Sequence, residues 1–186
     1  MHLYIKNMVC NRCILVVKQE LEKLNIESRT VSLGEVETEN ELPKETVEQL
    51  AHNLASLGFE LLDNSKQQLI EKIKNIVINQ VHHSEEASNH NFSEVLSNAL
   101  HKDYSYLSSL FSEVEGVTIE KYIINQKIEK VKELIIYDEL SLSEIAYKLN
   151  YSSVAHLSNQ FKKVTGLTPS HFKKVGEQKR KPLDKV

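Results

Sequence analysis

Residues 141–174, SLSEIAYKLNYSSVAHLSNQFKKVTGLTPSHFKK, decide how the C-terminal half of this chain folds. Leu142, Ile145, Ala146 and Leu149 recur at i, i+3, i+4 and i+7, one apolar face of a helix. Ser141 stands three residues before Glu144, the spacing of a capping box. Asn150, Tyr151 and Ser152 end that helix, since Asn tolerates left-handed dihedrals and Ser caps the helix that follows. The second helix turns Leu157, Phe161 and Val164 inward and Ala155, His156, Asn159 and Gln160 elsewhere, and Gly166 closes it. Thr168-Pro169 starts a third, because proline at the first helical position forfeits no needed N–H. Two short helices joined by a tight turn can place the second in a major groove.

Outward from this stretch, the chain compared with itself at an offset of fifty residues shows a duplication. Glu94 aligns with Glu144, Leu107 with Leu157, Phe111 with Phe161, Gly116 with Gly166, Thr118 with Thr168 and Tyr122 with Phe172. Core, capping and stop positions coincide, so one supersecondary unit is expected twice, at about 92–116 and 141–166. A long helix from Ile119 to about Tyr137 separates the copies.

The formal charge of −3 sits badly with nucleic-acid binding until it is divided by region. Residues 1–64 carry six Lys/Arg against eleven Asp/Glu, and residues 65–138 eight against eleven. Residues 139–186 carry nine against four, which concentrates positive charge on the helical stretch above. Only 5 Gly and 3 Pro in 186 residues argue against a turn-rich β architecture. No apolar run approaches membrane-spanning length and no leader pattern opens the chain, so a cytoplasmic protein is expected. Two cysteines, three apart, make no secreted disulfide framework.

The first 64 residues read as β-α-β-β-α-β, the split or ferredoxin-like arrangement of an α+β domain. Strand-like stretches fall at His2–Ile5, Ile26–Leu33, Val36–Thr38 and Phe59–Leu62; helical spacing falls at Ile14–Leu24 and from Pro43 to Leu57. Cys10-Asn11-Arg12-Cys13 lies where the first strand gives way to the first helix. Helix N-terminal N–H groups and Arg12 both favour a thiolate there, the form that binds soft metals or attacks disulfides.

Met8, Cys10 and Cys13, with Leu57-Gly58-Phe59 before the last strand, resemble the heavy-metal-associated domain family. The resemblance covers the first third and implies two thiolates, Cys10 and Cys13, on Cu(I) or another soft ion. Asn7 stands where that family usually has Gly. Two thiolates suit a near-linear Cu(I) site, whereas Zn(II) asks for four ligands. A thiol redox switch, or a domain kept for dimerisation, are the other roles left open for this segment.

A helix spanning Leu69 to Val81 follows, with His82, His83 and His90 read as belonging to a solvated helix end and polar loop. From about Ser65 to Lys174 the sequence resembles the DNA-binding domain of AraC/XylS transcriptional regulators. Glu144-Ile145-Ala146, His156-Leu157-Ser158, Phe161-Lys162-Lys163, Thr165-Gly166 and Thr168-Pro169 carry that resemblance. It implies an all-α domain of two helix-turn-helix units that binds double-stranded DNA. By position it places base contacts on Ala155, His156 and Asn159 in the second unit and on Ser105, Ser108 and Ser109 in the first. Lys162, Lys163, Lys173 and Lys174 become the phosphate contacts.

The expected organisation is therefore a ferredoxin-like domain over 1–64, a DNA-binding domain over 65–175 and a basic tail over 176–186. The expected function is transcriptional regulation, controlled by metal or thiol state and exerted as a monomer or homodimer. An enzyme is not expected, because the cysteine pair has no neighbouring base and no phosphate-cradling Gly loop occurs. A soluble metal chaperone, its helical half docking a protein, is the alternative.

Overall fold

The computed structural model describes residues 1–62, 65–84 and 91–175. The tail over 176–186 and His90 lie outside the described residues. The chain divides into two compact units, Met1–Asn75 and Ile76–Val186.

In the first unit Leu3 and Ile5 alternate with Tyr4 and Lys6, and this period-two pattern makes β1 (His2–Lys6) the strand whose apolar face meets the helices. Helix α1 (Asn11–Lys23) buries Val17 and Leu21 at i and i+4. The hairpin β2 (Ser28–Ser32) and β3 (Glu35–Thr38) follows, then α2 (Lys44–Ser56), which buries Leu50 and Leu54, and β4 (Glu60–Leu62). Pro43 is the last residue before α2 rather than its first, since its ψ of 148° is extended.

The sheet runs β2-β3-β1-β4 with every neighbouring pair antiparallel. The core between sheet and helices holds Leu3, Ile5, Met8, Val17, Leu21, Val36, Leu50 and Leu54, with Phe59 and Leu61 packed at its margin. Helix α3 (Ser65–Ile78) contains the division between the units. Residues 65–75 thus group with the sheet instead of opening the second unit at residue 65. Lys72 stacks 4.6 Å above the Tyr4 ring, and Asn75 packs against Gly34.

Among its described residues the second unit is all helical. A π-helical turn, Asn79–His83, continues α3 directly. After it come α4 (Phe92–Leu100), α5 (Tyr104–Glu115), α6 (Ile119–Tyr137), α7 (Leu142–Lys148), α8 (Val154–Thr165) and α9 (Pro169–Val175). The bounds repeat the sequence offset: α5 and α8 begin and end fifty residues apart, as do the starts of α6 and α9. Gly116 and Gly166 close α5 and α8 at φ 70° and 78°, where a side chain would crowd the backbone.

One expectation is corrected in this unit. His82 is not part of a solvated helix end, for the π turn brings it against α6, where its Nε2 donates to Gln126 Oε1 at 2.9 Å. Its burial pushes its pKa down to about 4. His83 remains exposed.

Candidate nucleic-acid interface

The interface is assembled around α8, and α7 fixes how α8 is presented. Ser141 Oγ accepts from the Glu144 N–H at 3.3 Å while the Glu144 carboxylate accepts from the Ser141 N–H at 2.7 Å, the capping box expected from the sequence. The Ser141 hydroxyl also donates to that carboxylate at 2.7 Å, and this bond, with the one from the Ser141 N–H, holds the Glu144 carboxyl below its ordinary pKa. Leu149 ends α7, and Asn150 turns the chain at φ 56°, a left-handed position that Asn tolerates. Ser153 then caps α8, accepting from the His156 N–H at 3.1 Å.

Packing decides which face of α8 is left for solvent. Leu157 and Phe161 are fully buried among Ile128, Val131, Ile135, Ile145 and Phe172, and the Phe161 and Phe172 rings meet edge to face at 5.4 Å. With the helix locked by these contacts, Ala155, His156, Asn159, Lys162 and Lys163 share the opposite face, each exposed. At about 100° per residue those five positions span roughly a third of the helix circumference.

The groups on that face differ in freedom. The Asn159 side chain makes no hydrogen bond among the described residues, which leaves both donor and acceptor of its amide for a base edge. His156 is anchored: Nδ1 lies 3.0 Å from Ser152 Oγ, and its ring stands edge-on to Tyr151 at 5.3 Å between centroids. Nε2 is thereby the nitrogen left to meet a ligand. Tyr151 is buried, which pushes its phenol pKa up and makes it a fixed support for the His156 ring. Lys162 and Lys163 occupy the last turn of α8, and Lys174 is exposed on α9. Lys173 is committed differently, for its ammonium pairs with the Asp138 carboxylate just beyond α6.

On α5, the counterpart of α8, Ser105 and Ser109 are exposed and Ser108 is half-buried, above the core residues Leu107, Leu110 and Phe111. Lys102 lies 5.6 Å from the exposed Tyr106 ring at the N-terminal end of the same helix. Glu113 and Glu115 give its C-terminal end the opposite sign from that of α8. The structure thus places the expected base-contact residues on two separate helices of equal length, one basic and one not, with Lys173 and Lys174 on α9. Sequence reasoning missed the Ser152–His156 bond, although their i, i+4 spacing signals it, and the Lys173–Asp138 pair, which no local pattern signals.

In the first unit the two thiols are brought together. Cys10 is the residue before α1 and Cys13 its third residue, with Sγ atoms 3.6 Å apart. Partial burial works against the Cys10 thiolate, yet hydrogen bonds from Cys13 and Arg12 outweigh it and lower the Cys10 pKa. Burial, together with the adjacent Cys10, raises that of Cys13. Asn7, before this loop, sits at φ 72° and donates from Nδ2 to Gly58 O at 2.9 Å, tying the loop to the turn before β4. Among the described residues no group of three or more His, Cys, Asp or Glu could hold a metal. A two-sulfur set fits a near-linear soft ion, and a tetrahedral one would lack half its ligands.

Residues 96–174 match a family model described as a helix-turn-helix domain. Over 109 residues the chain is 30% identical to the uncharacterized HTH-type transcriptional regulator YtdP of Bacillus subtilis, covering 58% of this chain and 14% of that protein. Over 74 residues it is 34% identical to the xylose operon regulatory protein of Escherichia coli, covering 40% of this chain and 19% of that one. The chain therefore spans less than a fifth of the length of either regulator. In fold it is similar to the C-terminal domain of AraT, a response regulator from Geobacillus stearothermophilus, with a TM-score of 0.51 and 21% identity over 63% of this chain and 95% of that one. It is equally similar to a transcriptional regulator from Chromobacterium violaceum, one of the AraC-type DNA-binding domain-containing proteins, with a TM-score of 0.51 and 16% identity over 62% of this chain and 99% of that one. Among the described residues no helix is long and apolar enough to cross a membrane.

Proposed function

We propose, from the premise that residues 96–174 form an AraC-type helix-turn-helix domain, that this chain binds specific double-stranded DNA sequences and regulates transcription. The observation that carries the reading is the exposed face of α8, where an uncommitted Asn159 amide and an anchored His156 ring stand beside Lys162 and Lys163. Asn159 reads a base edge, His156 offers Nε2 to a base or phosphate, and Ala155 lets the helix approach closely. Lys162, Lys163 and Lys174 hold phosphates, and Lys173 joins them by exchanging Asp138 for a phosphate oxygen. The pairs α4–α5 and α7–α8 act as two helix-turn-helix units spaced by α6, with Ser105, Ser108 and Ser109 of α5 as the weaker reader. Binding, rather than catalysis, is the whole of this activity.

The first unit is the controlling module in this reading. Its element order and strand order support a ferredoxin-like assignment, and Met8, buried in the core against which Cys13 packs, supports the heavy-metal-associated resemblance. Cys10 and Cys13 are the residues that would hold a soft ion such as Cu(I), which would supply a fixed positive charge there. The residues themselves set the site: the Cys10 thiolate is favoured by its hydrogen bonds, and Asn7 fixes the loop to Gly58.

Selection of bound sites from a random duplex pool, followed by titration at several salt concentrations, tests the function. An enriched sequence whose affinity falls steeply with salt is expected. Binding indifferent to sequence and to salt would defeat the reading and favour a protein-docking role for the helices.

A further inference from the structure

Within the second unit a cavity of about 510 Å³ opens between the π turn, the start of α4, α6 and the end of α7. Its apolar wall includes Phe92, Ile124 and Leu149. Lys127 of α6 stands half-buried in that wall. Its ammonium donates to the Leu149 carbonyl at 2.9 Å and lies 5.9 Å from the Phe92 ring centroid and 5.5 Å from that of Tyr151. Among the described residues no carboxylate comes within ion-pair distance of it, whereas Lys130 and Lys132 of the same helix are paired with Glu133 and Glu129.

An ammonium has three donors, and here one is used by a protein oxygen, which leaves two without a protein acceptor among the described residues. Burial without a counter-ion lowers the Lys127 pKa, the response of a cation held from water. Glu120, the carboxylate that lines the same cavity, is committed to the Tyr104 hydroxyl at 2.5 Å and stands about 10 Å from Lys127 along the helix. The cavity thus offers an uncompensated positive charge, spare donors and an apolar wall.

We propose that this cavity binds a small organic monocarboxylate, with its carboxylate on Lys127 Nζ and its apolar body, one ring or a short acyl chain, against Phe92, Ile124 and Leu149. The Leu149 carbonyl belongs to the turn that leads through Asn150 to α8. A ligand that competes for the Lys127 hydrogens therefore acts on the turn that presents the DNA-reading helix. That consequence rests on the DNA-binding reading, and occupancy of the cavity does not.

Benzoate is the probe, titrated into the isotope-labelled full chain while backbone amide and lysine side-chain signals are followed. Saturable shifts confined to the cavity wall are expected, with benzamide, the neutral analogue, at least tenfold weaker. Lys127→Met should weaken benzoate at least tenfold. Because that change also removes the bond to Leu149, Ile124→Phe serves as a second variant, filling the cavity while keeping the lysine, and should block binding equally. Equal binding of benzamide and benzoate overturns the proposal, as does binding unchanged in both variants or no saturable shift at about 10 mM benzoate. No DNA enters this measurement, so its failure and a failure of DNA recognition are separate results.

Discussion

Ser152 Oγ and His156 Nδ1 lie 3.0 Å apart, one turn from each other across the start of α8. The pair fixes the imidazole before any ligand arrives, and the Tyr151 ring braces its other side. Preorganisation of this kind lowers the ordering cost of binding. His156→Ala should therefore weaken binding to a selected DNA site more than Ser152→Ala, which frees the ring but keeps it. Asn159→Ala should cost about 1–3 kcal/mol at one base position and relax selectivity there. Lys162→Ala should instead weaken all sequences alike and flatten the slope of log K against log salt by roughly 0.9. Titrations of the four variants against selected and scrambled duplexes distinguish these outcomes.

Gly34 occupies φ 76°, and a Cβ there would fall 1.9 Å from Asn75 Nδ2 and 3.1 Å from its Cγ. Asn75 is buried on α3, so its amide cannot simply swing into solvent. Gly34→Ala combines a left-handed alanine, about 1–2 kcal/mol, with displacement of that amide. A loss of about 2–3 kcal/mol in unfolding free energy is expected in urea melts. Adding Asn75→Gly should recover the steric share and leave the dihedral share. An unchanged midpoint in Gly34→Ala would contradict this packing.

The contrast between these two sites explains what was legible in the sequence. The α7–α8 segment is legible because its signals are local: the Ser141–Glu144 box, the Asn150 turn and the Gly166 stop each lie within one helical turn of what they act on, although the cap of α8 is Ser153, one residue beyond the expected Ser152. The duplicated helices are legible because Gly116 and Gly166 stop α5 and α8 alike and Thr118 and Thr168 cap the helices that follow. Gly34–Asn75, His82–Gln126, Lys127–Leu149 and Lys173–Asp138 join residues far apart in the chain, and no local period encodes which partners meet. His82 was read as solvated because it follows an apolar stripe at what looks like a helix end. The π turn rotates it inward by one extra residue per turn, a change that periodicity alone does not reveal.

His82 makes stability depend on pH. Its pKa is pushed down to about 4 by burial, against the hydrogen bond to Gln126, with Lys130, Glu133 and His83 as its charged and titratable neighbours. A histidine held neutral in the folded state takes its proton more readily when unfolded, with an unfolded pKa near 6.5. Stability from this group is complete above about pH 6.5 and is lost as pH falls toward 4, at a slope approaching 1.4 kcal/mol per pH unit. Its full range is about 3 kcal/mol. Urea melts from pH 7.5 to 4.5 should show this slope in the wild type, and His82→Gln should flatten it in the same window. A slope identical in both proteins would place the acid sensitivity elsewhere.

Cys10 and Cys13 titrate in opposite directions, and this shapes how they would take a soft ion. Hydrogen bonds favour the Cys10 thiolate despite partial burial, whereas burial and its neighbour hold the Cys13 proton more tightly. Metal binding must expel that proton, so Cu(I) affinity should rise with pH through the Cys13 titration and depend little on Cys10 over the same range. Competition against a Cu(I) chelator should show a one-to-one complex in the wild type. Cys10→Ser and Cys13→Ser should each remove most of the affinity, since a single thiolate leaves a linear ion half-ligated. Zn(II) should bind much more weakly at one ion per chain, because two sulfurs fill only half of a tetrahedral site and no third ligand stands nearby among the described residues. Wild type and the double variant competing equally for Cu(I) would remove metal control from this module. Asn7→Gly sharpens the result further: it keeps the φ of 72° but loses the bond to Gly58, and should loosen the loop and weaken the metal without touching either thiol.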